Sequence, residues 1–172
     1  IVGYAVSKSL RAEANLQGLQ MALGHYSPEE CTGCVHHSDR GSQYPEGRYL
    51  QRLRKAGMSI SMGGRATDNA FAERIHGVIK NEYLLPWAPD SYQAVGRHTK
   101  QAVVDYNTKR HHGALGRWCP QQYEQDHWQL PKSQRKVEMI RSENTPYISE
   151  TRLQNIPVDT LKETPYCMVS FN

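Results

Sequence analysis

Apolar positions change period along this chain, and the changes divide it into short segments. Ile1 to Ser7 alternates β-branched and aromatic residues, which predicts a strand. From Leu10 to His25 the leucines at 16, 19 and 23 recur at helical spacing, with Ser9 as a cap and Gly24 as a stop, and this predicts a core helix. Val35 to Ser38 lies between a Cys/Gly turn and a Gly/Ser turn, so it predicts a short strand that ends by exposing Asp39 in a loop. Pro45 to Lys55 predicts a helix with proline in its first turn, Tyr49, Leu50 and Leu53 facing inward, and Gly57 ending it. Met58 to Met62 alternates Met, Ser, Ile, Ser, Met, as a half-buried strand does, and runs into Gly63-Gly64.

Beyond that glycine loop a helix is predicted, capped by Thr67 or Asp68 and stopped by Pro86-Trp87-Ala88-Pro89. At roughly 100° per residue, Asn69, Glu73, His76, Gly77 and Lys80 fall on one face, and Phe71, Ile75, Val78 and Ile79 on the opposite one. One face is built to pack and the other is left for work. Ser91 to about Arg110 predicts a second long helix, with Val95, His98, Ala102, Val103 and Tyr106 inward. Strands alternating with helices predict an α/β fold. Past Tyr123 the pattern fades: residues 125–172 hold scattered prolines and no clear period, with Ser133–Arg141 a candidate short helix and Tyr166–Phe171 a candidate short strand.

Composition adds three constraints. A chain of 172 residues, 38% hydrophobic and 22% charged, fits a soluble globular class with one core and an appendage. It contains no apolar run long enough for a membrane and no signal-like start, so a cytoplasmic protein without a membrane partner is expected. Residues 1–124 carry 15 Lys and Arg against 11 Asp and Glu, while the remainder is balanced, so the net positive charge lies in the core and favours an anionic partner such as nucleic acid. Cys31-Thr32-Gly33-Cys34 has metal-ligand spacing with His36 and His37 close behind, but Cys119 and Cys167 form no second pair. Two reduced thiols in a helix-to-strand loop are the expected reading, with a zinc-dependent nucleic-acid-binding module as the competing one.

The candidate chemistry sits between His36 and Lys80. Taken alone, Asp39 in Ser-Asp-Arg-Gly is a turn residue and Glu73 an exposed helix carboxylate. Asp68 stands at a helix start, where a carboxylate satisfies orphan N–H groups and favours the dipole. His36 and His37 alternate across a strand, so at most one faces the site. Arg110 and His112 follow a long helix, where cations also stabilise the helix end.

The order of words decides between these readings. His37-Ser38-Asp39-Arg40-Gly41-Ser42-Gln43-Tyr44, Ser61-Met62, Asp68-Asn69-Ala70, Glu73 and Lys80, then Tyr106-Asn107, Arg110, His112, Leu115-Gly116, Pro120 and Tyr123 together resemble the catalytic core of the retroviral-integrase superfamily. The similarity is to its branch of bacterial insertion-sequence transposases with an Asp, Asp, Glu triad, and it spans residues 1–124. It implies a ribonuclease-H-like fold, a mixed sheet flanked by helices, here without its first strands. It also implies that Asp39 and Glu73 are the second and third catalytic acids and ligands for Mg2+ or Mn2+. Lys80 is expected to touch DNA phosphate, and Arg40, Gln43, Asn69, Arg110 and His112 to lie along the DNA. The implied function is DNA transposition, metal-dependent cutting and joining of transposon ends, by a homo-oligomer on DNA in the bacterial cytoplasm and nucleoid.

Two departures from the pattern stand out. The interval from Asp39 to Glu73 is slightly short, and the shortfall falls at Gly63-Gly64-Arg65-Ala66-Thr67. The first acid belongs on a strand before Ile1, and the only acids ahead of Asp39 are Glu13, Glu29 and Glu30. The chain alone is therefore expected to be inactive, and an inactive remnant that only binds DNA is the alternative reading.

Overall fold

The computed structural model describes residues 1–8, 12–38, 47–62, 70–131 and 134. In chain order, helix α1 (Ala12–His25) is followed by the single turn α2 (Pro28–Cys31) and strand β1 (Val35–Ser38). Helix α3 (Gly47–Lys55), strand β2 (Ser59–Met62) and helix α4 (Ala70–Val78) come next. A π-helical stretch (Ile79–Leu84) and α5 (Leu85–Trp87) continue α4, and α6 (Tyr92–Thr108), a 3-10 turn (Gly113–Leu115) and α7 (Pro120–Gln129) complete the order.

The strands pair in parallel, Val35 with Ser59 through Ser38 with Met62, with α3 as the crossover. Among the described residues the sheet has these two strands, so the mixed sheet expected from the sequence appears here as a parallel pair within a largely helical structure. β1 alternates as expected: Val35 is exposed, and His36 and Ser38 are buried. Leu19 of α1, Cys34, and Tyr49 and Leu53 of α3 close one core over the strands, each at most 2% exposed. Each such large apolar side chain stabilises the fold by roughly 1.5–3 kcal/mol. Leu16 and Leu23 pack at its edge, which confirms the leucine spacing of α1. Leu50, expected inward, is half-buried beside them in sequence.

Gly57 ends α3 as its position promised. It sits at φ +72°. The amide of Met58 reaches back to the Leu53 carbonyl at 3.1 Å and that of Gly57 to Arg54 at 3.0 Å, the pair of bonds that closes a helix on a left-handed residue. Gly24 does not stop α1, which runs one residue further.

A second core lies between α4 with its π stretch and α6, built on Ile79, Ala102 and Tyr106 with Ile75, Val78, Tyr83 and Leu84 around them. Ser91 caps α6, its hydroxyl accepting from the Ala94 amide at 3.2 Å. Buried positions on α6 are Ala94, Thr99, Ala102, Val103 and Tyr106, while the expected Val95 and His98 are half-buried.

The strand expected at the start of the chain is not found. Ile1–Ser7 pairs with no strand among the described residues. It lies instead across the helices: Asn107 donates to the Ile1 carbonyl at 2.8 Å and Tyr92 to that of Val6 at 2.8 Å. Its crossing of α1 is so close that a Cβ on Gly3 would stand 2.2 Å from the Gly18 carbonyl oxygen. Ile1 enters the second core and Val2 the first, so this segment ties the two together. The helix stops within Pro86-Trp87-Ala88-Pro89 as expected, but with Pro86 itself inside its last turn. The π turn, with Leu85 bonded to the Lys80 carbonyl, is wider than a regular turn and loosens the clash that a proline ring meets inside a helix. The helix therefore reaches Trp87 and ends at Ala88 in the left-handed region.

Candidate active site

Because β1 and β2 are parallel and in register, both leave the sheet at the same edge. Asp39 is the next residue after β1. It lies outside the described residues, as do Arg40, Gln43, Asp68 and Asn69 and the loop 63–69. Residues 63–69 join Met62 to α4, whose first turn carries Glu73. Ligands of parallel sheets gather at the edge where strands end, since the loops that follow the strands meet there.

Glu73 is exposed, and its neighbour Ala72 is 4% exposed. Ala72, Ile75 and Ile79 stand three and four residues apart and form the packed face of the helix, which leaves Glu73 outward by geometry alone. The carboxylate also lies at the positive end of the helix dipole, a placement that suits an acid whether or not it binds a ligand. Lys80, seven residues on, is likewise exposed, and it is the second residue of the π stretch. The expected division of this helix into a packing face and an open face therefore holds for Ile75, Val78, Ile79, Glu73 and Lys80. Phe71 lies outside the residues whose side chains are described, and His76 and Gly77 are half-buried.

The structure gives Arg110 a neighbour within the protein. Its guanidinium forks onto both carboxylate oxygens of Glu82, Nη2 donating to Oε1 at 3.0 Å and Nη1 to Oε2. That bond, with the carboxylate charge and Tyr83 nearby, raises the Arg110 pKa above its ordinary value. The fork pins the π stretch to the end of α6. Sequence reasoning missed Glu82, because 28 residues separate it from Arg110 and nothing local marks a pair at that distance. His112 is half-buried with its ring 5.0 Å from that of Tyr106, and its Nε2 meets no hydrogen-bond partner among the described residues. Burial first, then the charges of Arg110 and Arg74, lowers its pKa.

The histidines of β1 are structural. His36 is 1% exposed and shares a 3.0 Å hydrogen bond with the Tyr49 hydroxyl. His37 pairs at 3.0 Å with Ser61, its register partner on β2. Cys31 and Cys34 are free thiols buried in the first core, and Cys34 donates to the Glu30 carbonyl at 3.0 Å. Burial raises the Cys31 pKa further from the thiolate that zinc needs. Among the described residues no three His, Cys, Asp or Glu side chains cluster as a metal site. Glu73 is thus an exposed hard oxygen donor on the first turn of α4, a donor type that suits magnesium or manganese.

Comparison with known proteins extends this picture. Residues 54–120, from the end of α3 to the start of α7, match the integrase core domain. The chain is 37% identical over 130 residues to the transposase for insertion sequence element IS629 of Shigella sonnei, covering 74% of this chain and 43% of that protein. It is 34% identical over 116 residues to the putative transposase for insertion sequence element IS986/IS6110 of Mycobacterium tuberculosis, covering 64% and 42%. With the transposase for insertion sequence element IS904 of Lactococcus lactis it shares 31% identity over 127 residues, covering 72% and 49%. The chain spans less than half the length of these relatives. No solved structure matches it. No described helix is long and apolar enough to cross a membrane.

Proposed function

The chain belongs to the insertion-sequence transposases with an integrase-type core, and on that premise we propose that it serves DNA transposition by cutting and joining DNA at transposon ends. The observation that carries this reading to particular residues is the shared edge: β1 ends one residue before Asp39, and β2 ends at the loop that leads to Glu73. Asp39 and Glu73 would hold Mg2+ or Mn2+. When bound, such ions would supply charge stabilisation to the attacking and leaving oxygens of phosphodiester transfer.

The chain's own contribution is positioning. Glu73 projects from a helix whose opposite face is locked into the second core, so its carboxylate is held on a rigid element rather than a loop. Lys80 lies one heptad away on the open face, where an ammonium attracts a DNA phosphate and aligns the strand with the acids. Arg40, Gln43, Asn69, Arg110 and His112 belong to the same proposed DNA-facing set, with Arg110 held in place by Glu82.

The test is a strand-transfer assay of the transposase that carries this core, on DNA bearing the element's ends, with Mg2+ or Mn2+. Asp39→Asn and Glu73→Gln are each expected to reduce joining to background while binding to end DNA persists. Joining that survives either substitution would overturn the assignment.

A further inference from the structure

Beside the first core, α1 and α3 leave an open groove of about 330 Å³ between them. Its lining is Leu16 and Gln20 from α1, and Arg48, Gln51, Arg52 and Lys55 from α3. Leu16 gives it an apolar floor, and three cations and two amides form its walls. Arg48, Arg52 and Lys55 are four and then three residues apart, which places them on one stripe of α3 that flanks the buried Tyr49 and Leu53. All three are exposed, and α3 contains no acid. Glu13 on α1 is an acidic neighbour, with its carboxylate 3.5 Å from the Arg48 guanidinium.

A row of cations without acids of its own is costly to a helix, since like charges at this spacing repel by a few tenths of a kcal/mol per pair. Packing does not require it: the apolar face of α3 would be unchanged with any polar residue at these positions. The stripe runs about 10 Å along the helix. One strand of duplex DNA presents a phosphate every ~3.4 Å of axis, so about three phosphates fit beside it. The walls fit as well. Guanidinium groups bind phosphate oxygens in pairs, and glutamine amides donate to them without charge.

We propose that this groove is a second phosphate-backbone contact, which seats duplex DNA on the α1–α3 face of the first core, while Glu73 stands on the helix of the second. The inference rests on the reading that DNA is the partner, but not on the assignment of Asp39 and Glu73. The groove reads no sequence, because its groups match the backbone and not base edges. It adds affinity for DNA length beyond what the acid-bearing edge engages.

The experiment measures binding of the whole chain to a fluorescent duplex over a range of salt concentrations. Arg52→Gln with Lys55→Gln removes two cations and keeps polar side chains on an exposed face, and a melting curve verifies the fold. The expected result is a salt slope lower by about two and affinity weaker by on the order of fifty-fold at 0.1 M salt, equally for unrelated sequences. Arg52→Lys with Lys55→Arg, which keeps both charges, is expected to retain the wild-type slope. Glu13→Gln, by removing the acid beside the groove, is expected to tighten binding. An unchanged slope in the double glutamine variant overturns the groove, and if Lys80→Ala lowers the slope in the same assay the DNA reading itself stands. Absence of any duplex binding by the wild-type chain overturns both. A loss confined to one DNA sequence also overturns the groove, since it would mean base readout.

Discussion

Replacing Gly57 by alanine separates backbone strain from crowding at the junction that delivers β2 to the site. The residue sits at φ +72°, where an L side chain costs roughly 1–2 kcal/mol. An added Cβ would also stand 3.0 Å from the Thr32 hydroxyl oxygen. That hydroxyl is not free to swing, because it donates to the Pro28 carbonyl at 2.9 Å. Alanine recovers about 0.4–1 kcal/mol by restricting the unfolded chain. The backbone terms thus leave about 0–1.6 kcal/mol and the crowding adds to it, so the net loss is about 1 kcal/mol, or a fall in melting temperature of roughly 2–4 °C for a chain of this size. Thermal unfolding of Gly57→Ala, Thr32→Ala and the double variant divides the terms. If φ dominates, the double variant regains only a small part of the loss, and Gly57→Asn, which tolerates the left-handed region, regains more. Full recovery in the double variant would refute the backbone argument, and so would an unchanged midpoint in Gly57→Ala.

Further outcomes follow from other contacts. Tyr49→Phe removes the hydroxyl that meets His36 Nε2 in the dry first core and should cost about 1–3 kcal/mol by denaturant unfolding; a change under half a kcal/mol would contradict the bond. Glu82→Gln and Arg110→Ala should each lose up to about 1 kcal/mol, as partly exposed pairs do, and the double variant no more than the larger single; additive losses would mean the fork does not form in solution. His112 has its pKa lowered in the fold, chiefly by burial, so its contribution is full above its ordinary value of about 6.5 and is lost as pH falls toward the lowered folded value. Acidification should then cost the wild type more stability than His112→Asn, and equal losses would refute the assignment.

The contrast between Leu19 and Ile1 shows what the sequence could tell. Leu16, Leu19 and Leu23 mark α1 because a helix makes its own backbone bonds and needs only a packed stripe, whereas Ile1–Ser7 has a strand's pattern but pairs with no strand among the described residues. Tyr49, Leu53 and Gly57 were legible for the same local reason as α1. The turn α2 was also legible and passed unnoticed: Ser27 and Glu30 form a reciprocal cap, and the spacing Ser-x-x-Glu announces it. The π stretch was not legible, since it is set by how α4 and α6 meet around Ile79, Ala102 and Tyr106. At the site, the outward placement of Glu73 and Lys80 followed from helical period alone. The Glu82–Arg110 fork depends on tertiary approach, and Asp39, Arg40, Gln43 and Asn69 lie outside the described residues.

The central claim, that Asp39 and Glu73 share divalent metal at the edge where β1 and β2 end, is tested most directly by paramagnetic broadening of backbone amide resonances on titration with Mn2+. The claim predicts that signals at the end of β1 and in the first turn of α4 broaden together at the same Mn2+ concentration. It predicts as well that Asp39→Asn weakens the effect at both places, and Glu73→Gln likewise. Broadening that reaches only one of the two segments, or that survives both substitutions, would contradict it.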